Sequence, residues 1–266
     1  MDRKVILITG ASTGIGRACA DQLHQSGWRV VGTSRREPSD IGWQHLRMDV
    51  DDDASVSSGV QAILKEYGRI DAVILSAGWG LAGAAEQTPI AEAKAQFETN
   101  FWGAVRVTNE ILPVFRRQGG GRLVFMSSIG GLIALPFQSF YSASKFALEG
   151  YAESLAYEVD PYKVKVTLVE PGNFVTSFSD SRRSVPSPSS DPYQTAREKA
   201  IKSMEHDERH GADPVDIAKL VETVLASAKP PRRVSVGKFN ERMGLIAKRL
   251  LPFTTFERSA RSSLGV

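Results

Sequence analysis

One cysteine, Cys19, is the only thiol in the 266 residues. A single thiol excludes an intrachain disulfide and a cysteine-based zinc site. The four histidines show no metal-ligand spacing, so no metal is expected. No apolar run approaches the ~18 residues needed to span a bilayer. Charge is nearly balanced, with 33 Lys and Arg against 30 Asp and Glu, for a net +3. The positive residues are scattered, apart from the pairs Arg35-Arg36, Arg116-Arg117, Arg182-Arg183 and Arg232-Arg233. That pattern argues against nucleic acid as a partner. Strand-like sequence begins at Lys4, which leaves no room for a signal or transit peptide. The expectation is a cytoplasmic protein whose 42% hydrophobic content supports a real core. Cys19 lies on the apolar side of the first expected helix and reads as part of that core.

What is present alternates. Apolar, β-branched runs at Lys4–Thr9, Arg29–Ser34, Trp43–Met48, Ile70–Ser76, Gly121–Ser127, Lys163–Val169 and Arg232–Val236 read as strands. Between them, Gly14–Ser26, Asp51–Tyr67, Ile90–Arg117, Tyr141–Val159 and Asp213–Ser227 read as helices. Asp51, Asp52 and Asp53 offer a cap and a charge matched to the helix dipole. Continuous Val/Ile/Leu strands separated by helices predict an α/β fold, a Rossmann-like doubly wound parallel sheet flanked by helices on both faces. All 266 residues are read as one domain, with two additions. Residues 177–211 are rich in Ser, Pro and charge and too long for an ordinary loop, so they are expected to form a mobile lid or binding insert. The tail at 238–266 mixes Leu245, Ile246, Leu250, Leu251 and Phe253 with Lys248 and Arg249. It is expected to pack on the body or a partner subunit, with a membrane-surface helix as the alternative.

Tyr141-Ser-Ala-Ser-Lys145 places a phenol and an ammonium four residues apart, on one face of a helix. A lysine beside a tyrosine favours the phenolate and is expected to lower its pKa, which suits proton transfer at a carbonyl or alcohol oxygen. Thr9-Gly10-Ala-Ser-Thr-Gly14-Ile-Gly16 follows the first strand and opens the first helix. Glycines there let backbone approach a pyrophosphate, and the helix start offers free N–H groups. The second strand ends Ser34-Arg35-Arg36, with no acid before Glu37. A carboxylate is usual there for NAD, whereas Arg35 suits a 2′-phosphate, so NADP(H) is the expected cofactor. Asp49 ends the third strand, where it suits the adenine amino group.

With Ser76-Ala77-Gly78, Asn100, Ser128 and Pro171-Gly172-x-x-x-Thr176 in the same order, these motifs resemble the classical short-chain dehydrogenases/reductases. The match runs from about residue 4 to 176 and resumes loosely from 213 to 237. The resemblance implies that Tyr141 is the general acid or base and that Lys145 tunes it and binds the nicotinamide ribose. It implies that Ser128 donates to the substrate oxygen and that Asn100 holds a water leading from Lys145. Gly10, Ser12, Thr13, Gly14, Ile15, Gly16, Arg35, Asp49, Val50, Ala77, Gly78, Pro171, Gly172, Phe174 and Thr176 would complete the cofactor site with Asn100, Tyr141 and Lys145. One departure is Ser76, where the family usually has asparagine.

The expected substrate wall holds Trp79, Leu132, Ile133, Pro136, Phe137, Phe174 and Phe178 around Ser128 and Tyr141, and suits a small hydrophobic carbonyl or alcohol. The run 141–158 with Glu170-Pro171-Gly172 resembles the retinol and 17β-hydroxysteroid branch. Family likeness implies a homodimer or homotetramer pairing the helices at 90–117 and 141–159. The alternatives are an NADP(H)-binding sensor without turnover and an NAD-dependent alcohol dehydrogenase.

Overall fold

The computed structural model describes residues 3–264. Seven parallel strands form the central sheet: β1 (Val5–Thr9), β2 (Arg29–Ser34), β3 (Gln44–Arg47), β4 (Ala72–Leu75), β6 (Gly121–Met126), β7 (Val164–Pro171) and β9 (Arg233–Val236), in the order β3-β2-β1-β4-β6-β7-β9. Every residue of β1 and of β4 is buried, as a parallel strand covered on both faces must be. Strand alternation splits β1 between two cores. Val5 and Leu7 join the side covered by α2 (Asp53–Tyr67), α4 (Gly103–Gln118) and α5 (Ser139–Val159). Ile6 and Ile8 join the side covered by α1 (Gly14–Gln25) and α8 (Pro214–Ala226), where Cys19 is fully buried. Strand order departs in opposite directions from β1, toward β2 and toward β4, and the carboxyl ends beside that reversal are where open α/β sheets take ligands.

The stretch read as one helix over 90–117 is broken. α3 (Ile90–Phe97) passes into a π-helical turn, Glu98–Trp102, before α4 resumes. There the Gly103 N–H donates to the Glu98 carbonyl, five residues back. The physical reason lies inside the turn. Asn100 is buried, and its amide is engaged with the main chain of Trp79 at 3.0 Å. Single π turns inside α-helices are frequent at functional sites.

Residues 177–211 carry regular structure. They hold α6 (Phe178–Ser181), β8 (Arg183–Ser184) and α7 (Gln194–Arg209), a 16-residue helix that buries Ala200 and Met204. β8 pairs in parallel with β5 (Leu81–Ala82), and Arg197 meets Asp191 at 3.0 Å. The tail forms α9 (Phe239–Leu250) and α10 (Phe253–Leu264). Among the described residues no helix is long and apolar enough to cross a membrane.

Candidate active site

The first turn is shaped by close backbone approach. Gly10 has φ +66°, and a Cβ on it would stand 2.7 Å from the Ala77 Cα. A Cβ on Gly16 would overlap the Gly10 carbonyl oxygen. The turns after β1 and β4 therefore touch, and only glycine fits between them. Thr9 ties them further, its hydroxyl accepting from the Ser76 N–H (3.1 Å) and the Ala77 N–H (3.2 Å). That threonine bridges the sheet where the family's usual asparagine is replaced by Ser76. The α1 N-terminus carries no acidic residue in its first turn, and Thr13 makes no side-chain cap bond. Its N–H groups with the half-buried Ser12 and Ile15 fit a pyrophosphate. Gly14 faces Thr176, the would-be Cβ lying 3.5 Å from the threonine Cβ, so both ends of the expected cofactor set meet.

Arg35 is exposed at the end of β2. Asp49 accepts from the Asp51 N–H at 3.1 Å, and Val50 is buried against Gly103. Asp51 has its pKa raised, chiefly by burial and with Asp49 adding, against a hydrogen bond from Thr99 and the positive charge of Arg35.

α5 opens at Ser139 and brings Tyr141 and Lys145 inward, both buried. The Tyr141 hydroxyl lies near enough to Ser128 to interact with it, and the Ser128 Oγ accepts from the Gly130 N–H at 2.9 Å. Lys145 Nζ donates to the Met126 carbonyl at 2.8 Å, and a Cβ on Gly78 would stand 3.8 Å from it. Burial pushes the Tyr141 phenol up to about 12, opposed by Ser128. It pushes Lys145 down to about 8, opposed by Glu149. The expectation that Lys145 lowers the tyrosine pKa therefore fails here. The ammonium lies 6.0 Å from the phenol ring centroid and is turned to a carbonyl, while desolvation of the phenolate dominates. The Asn100 side-chain amide is spent on Trp79 and on Ser144 (3.3 Å), so the side chain positions the turn after β4.

The apolar wall assembles in part. The Phe178 ring lies 5.6 Å from the Tyr141 ring, centroid to centroid. Trp79 is half-buried, held by Thr99 through its indole N–H (3.1 Å) and faced by the Arg183 guanidinium at 4.2 Å. Leu132, Ile133, Pro136 and Phe137 are half-buried on the segment between Ser128 and α5. Phe137 has φ +59°, a left-handed conformation uncommon for a bulky residue, and its ring lies 6.5 Å from Tyr193. Phe174 does not join this wall. It is buried in the core beneath α1 and α8, and only its backbone remains for a cofactor role.

Three groups beside the site escape sequence reasoning. Glu241 of α9 accepts from the Asn173 N–H (3.1 Å) and side-chain amide (2.7 Å), and fixes the turn that begins Pro171-Gly172. Arg182, its side chain 2% exposed, pairs with Glu208 next to Phe178, and Glu208 and Arg182 both act on the Tyr141 charge. Glu149, one helical turn past Lys145, is buried beside Glu170 and meets Arg233 at 2.9 Å. Burial, with Glu170 adding, pushes Glu149 up to about 7. Only Glu149 had a signal, its i+4 spacing from Lys145. The others come from segments remote in sequence.

Residues 4–186 match the family model described as short chain dehydrogenase. The chain is 39% identical over 263 residues to a 3-ketodihydrosphingosine reductase of Bacteroides thetaiotaomicron, covering 98% of each. It is 33% identical to human retinol dehydrogenase 8, over 86% of this chain and 80% of that one. Among solved structures, a short-chain dehydrogenase from Streptomyces avermitilis superposes with a TM-score of 0.83 at 31% identity, covering 98% of this chain and 99% of that one.

Proposed function

The chain belongs to the short-chain dehydrogenase family, oxidoreductases of CH–OH and C=O groups that use a nicotinamide cofactor, and from that premise we propose that this member is an NADP(H)-dependent reductase of a hydrophobic ketone. The observation that carries the reading is the pairing of Ser128 with Tyr141, set against the Phe178 ring and one helical turn from Lys145, which lies beside Gly78. The turn after β1 fits a dinucleotide, since the close packing at Gly10 and Gly16 sets the tight turn that leaves the α1 N–H groups free of any acidic residue in the first turn. The nicotinamide, when bound, supplies or accepts the hydride.

The remaining work falls to the chain. A carbonyl oxygen held by Ser128 receives a hydrogen bond where negative charge develops. Tyr141 then gives it a proton. The buried phenol carries its proton at neutral pH, as donation to a carbonyl oxygen requires. Lys145 holds the Met126 carbonyl and sits beside Gly78, where it would meet the ribose. Arg35 supports NADP(H), as no acid precedes it at the end of β2 and its exposed guanidinium suits a phosphate. A lipophilic substrate is supported by the aromatic wall and by relatives named for 3-ketodihydrosphingosine and retinol.

Two further parts of the reading concern the scaffold. Residues 177–211 close over the substrate as a lid, since they carry Phe178 to the Tyr141 ring. Their Ser/Pro-rich stretch at 184–190 should be cut by protease in the free protein and protected by NADPH with a substrate analogue. A homodimer or homotetramer in the cytoplasm would cover the exposed Trp102 before α4 and Tyr157 on α5. The test of the function itself is NADPH oxidation against ketones of increasing chain length, with calorimetric titration of NADPH and NADH. Wild-type protein should favour NADPH, and Arg35→Asp should reverse that preference by about 10–150-fold, the worth of a hydrogen bond to an ionised group. Equal affinity for both nucleotides, or no turnover of any ketone, would end the reading.

A further inference from the structure

α9 has two unlike faces. Facing the body, Glu241 holds Asn173 and the Lys238 N–H (2.8 Å). A Cβ on Gly244 would stand 3.8 Å from Ile133. Lys248 donates to the Leu132 carbonyl and lies 5.2 Å from the Phe146 ring. With 3.6 residues per turn, Phe239, Met243, Ile246 and Leu250 fall in one narrow stripe on the opposite side. They are 77%, 41%, 49% and 74% exposed. Leu251 and Phe253 extend the stripe through the turn into α10. Scattered exposed apolar residues need no cause, but six in one contiguous strip mark a contact surface.

The charge around the strip selects its occupant. Arg242 and Arg249 fall along one edge of it, both exposed, and neither makes an ion pair among the described residues. Residues 238–266 carry six Lys or Arg and two Glu. Of those two acids, Glu241 points inward and Glu257 is near Arg261 at 3.8 Å. A second copy docking by a two-fold axis would set the same arginines against each other with no acid to spare. An anionic lipid surface meets both features at once, apolar side chains entering the acyl boundary while arginines reach the phosphates.

We propose that α9 is a docking helix for anionic membrane surfaces. Because its other face seats on Leu132 and Ile133, docking brings the expected substrate wall to the lipid boundary. The proposal does not depend on the cofactor or the substrate assigned above.

The test is co-sedimentation of the full chain with vesicles of phosphatidylcholine alone and of phosphatidylcholine mixed with phosphatidylglycerol. The wild type should bind the mixed vesicles, less at high salt. Phe239→Ser with Leu250→Ser should abolish sedimentation, and Arg242→Glu with Arg249→Glu should weaken it by at least roughly fivefold per arginine. Inorganic phosphate at matched ionic strength should compete no better than chloride, which separates a lipid surface from a free-phosphate site. Turnover of a water-soluble ketone should be unchanged in all variants, confirming the fold. The proposal is overturned if the wild type ignores the mixed vesicles or if the serine variant binds them equally. It is overturned as well if light scattering shows an oligomer that those serines dissociate, since the strip would then cover a second copy.

Discussion

Where β1 turns into α1, main chain meets main chain. Gly10 abuts Ala77, Gly16 abuts the Gly10 carbonyl, and one threonine hydroxyl takes two N–H groups. The insert and tail differ: beyond the short main-chain pairing of β8 with β5, they are held by charged side chains. Arg182 is paired with Glu208, Arg197 with Asp191, and Glu241 is bound to Asn173. The first kind of joint fixes distance, because a few tenths of an ångström decide whether backbone fits. The second fixes charge balance and tolerates movement, since a flexible side chain can follow its partner. Under the proposed function, the constant cofactor falls on the rigid wall and the varying substrate on the adjustable one.

The largest expected effect falls where the walls meet. Tyr141→Phe keeps the ring beside Phe178 and removes the proton, so ketone turnover should fall by about 10²–10⁴-fold with NADPH affinity unchanged. Turnover near wild type would detach Tyr141 from the chemistry. Breaking the charged wall comes next. Glu208→Gln removes the nearer of two acids on a buried arginine and leaves Glu205 at 3.6 Å, so the loss should fall below the about 3–5 kcal/mol of a fully broken buried pair. Thermal unfolding should occur several degrees lower and KM for hydrophobic ketones should rise, while the NADPH dissociation constant stays put. A rise in both constants together would erase the contrast between the walls. Breaking the rigid wall is the converse. Gly10→Ala imposes a left-handed alanine and a backbone contact, at about 1–3 kcal/mol. Calorimetry should show NADPH affinity reduced with ketone KM unaltered.

The smallest effect sharpens the comparison by pH. Burial raises Glu149 from 4.5 to about 7, so between those values the folded chain keeps a proton that the unfolded chain has released. Stability therefore falls as pH rises across that window. Glu149→Gln should flatten part of this slope, leaving the share due to Glu170, which burial also raises. Unfolding midpoints that shift in parallel for both proteins would show that Glu149 titrates normally.

The same contrast explains what was legible in the sequence. Backbone-to-backbone joints admit only glycine at Gly10 and Gly16, and a left-handed φ of +57° favours it at Gly14, so the three stood out by spacing, as did the helical interval from Tyr141 to Lys145. The parallel sheet was legible because strands buried on both faces are apolar throughout. The π turn at 98–102 was not, because it follows from where Asn100 finds the Trp79 main chain, a partner outside the helix. Nor were the pairs that hold the insert. Arg182 and Glu208 lie 26 residues apart, and any acid and base would serve, so nothing in their neighbours marks them. The fate of Phe174 shows the same limit. Its neighbours Pro171-Gly172 placed its backbone, but only the packing beneath α1 and α8 decided which way the ring turned.

Cys19 has no part in any of this, and that gives it a use. It is the only thiol in the chain, fully buried in the core beneath α1 and α8, and burial pushes it up to about 12. A thiol so protonated and enclosed is inert to alkylating reagents until the structure around it opens. The rate at which a reagent marks it is thus a clock for opening of the nucleotide-side half alone. No label need be engineered, and motion in the charged wall leaves the reading untouched.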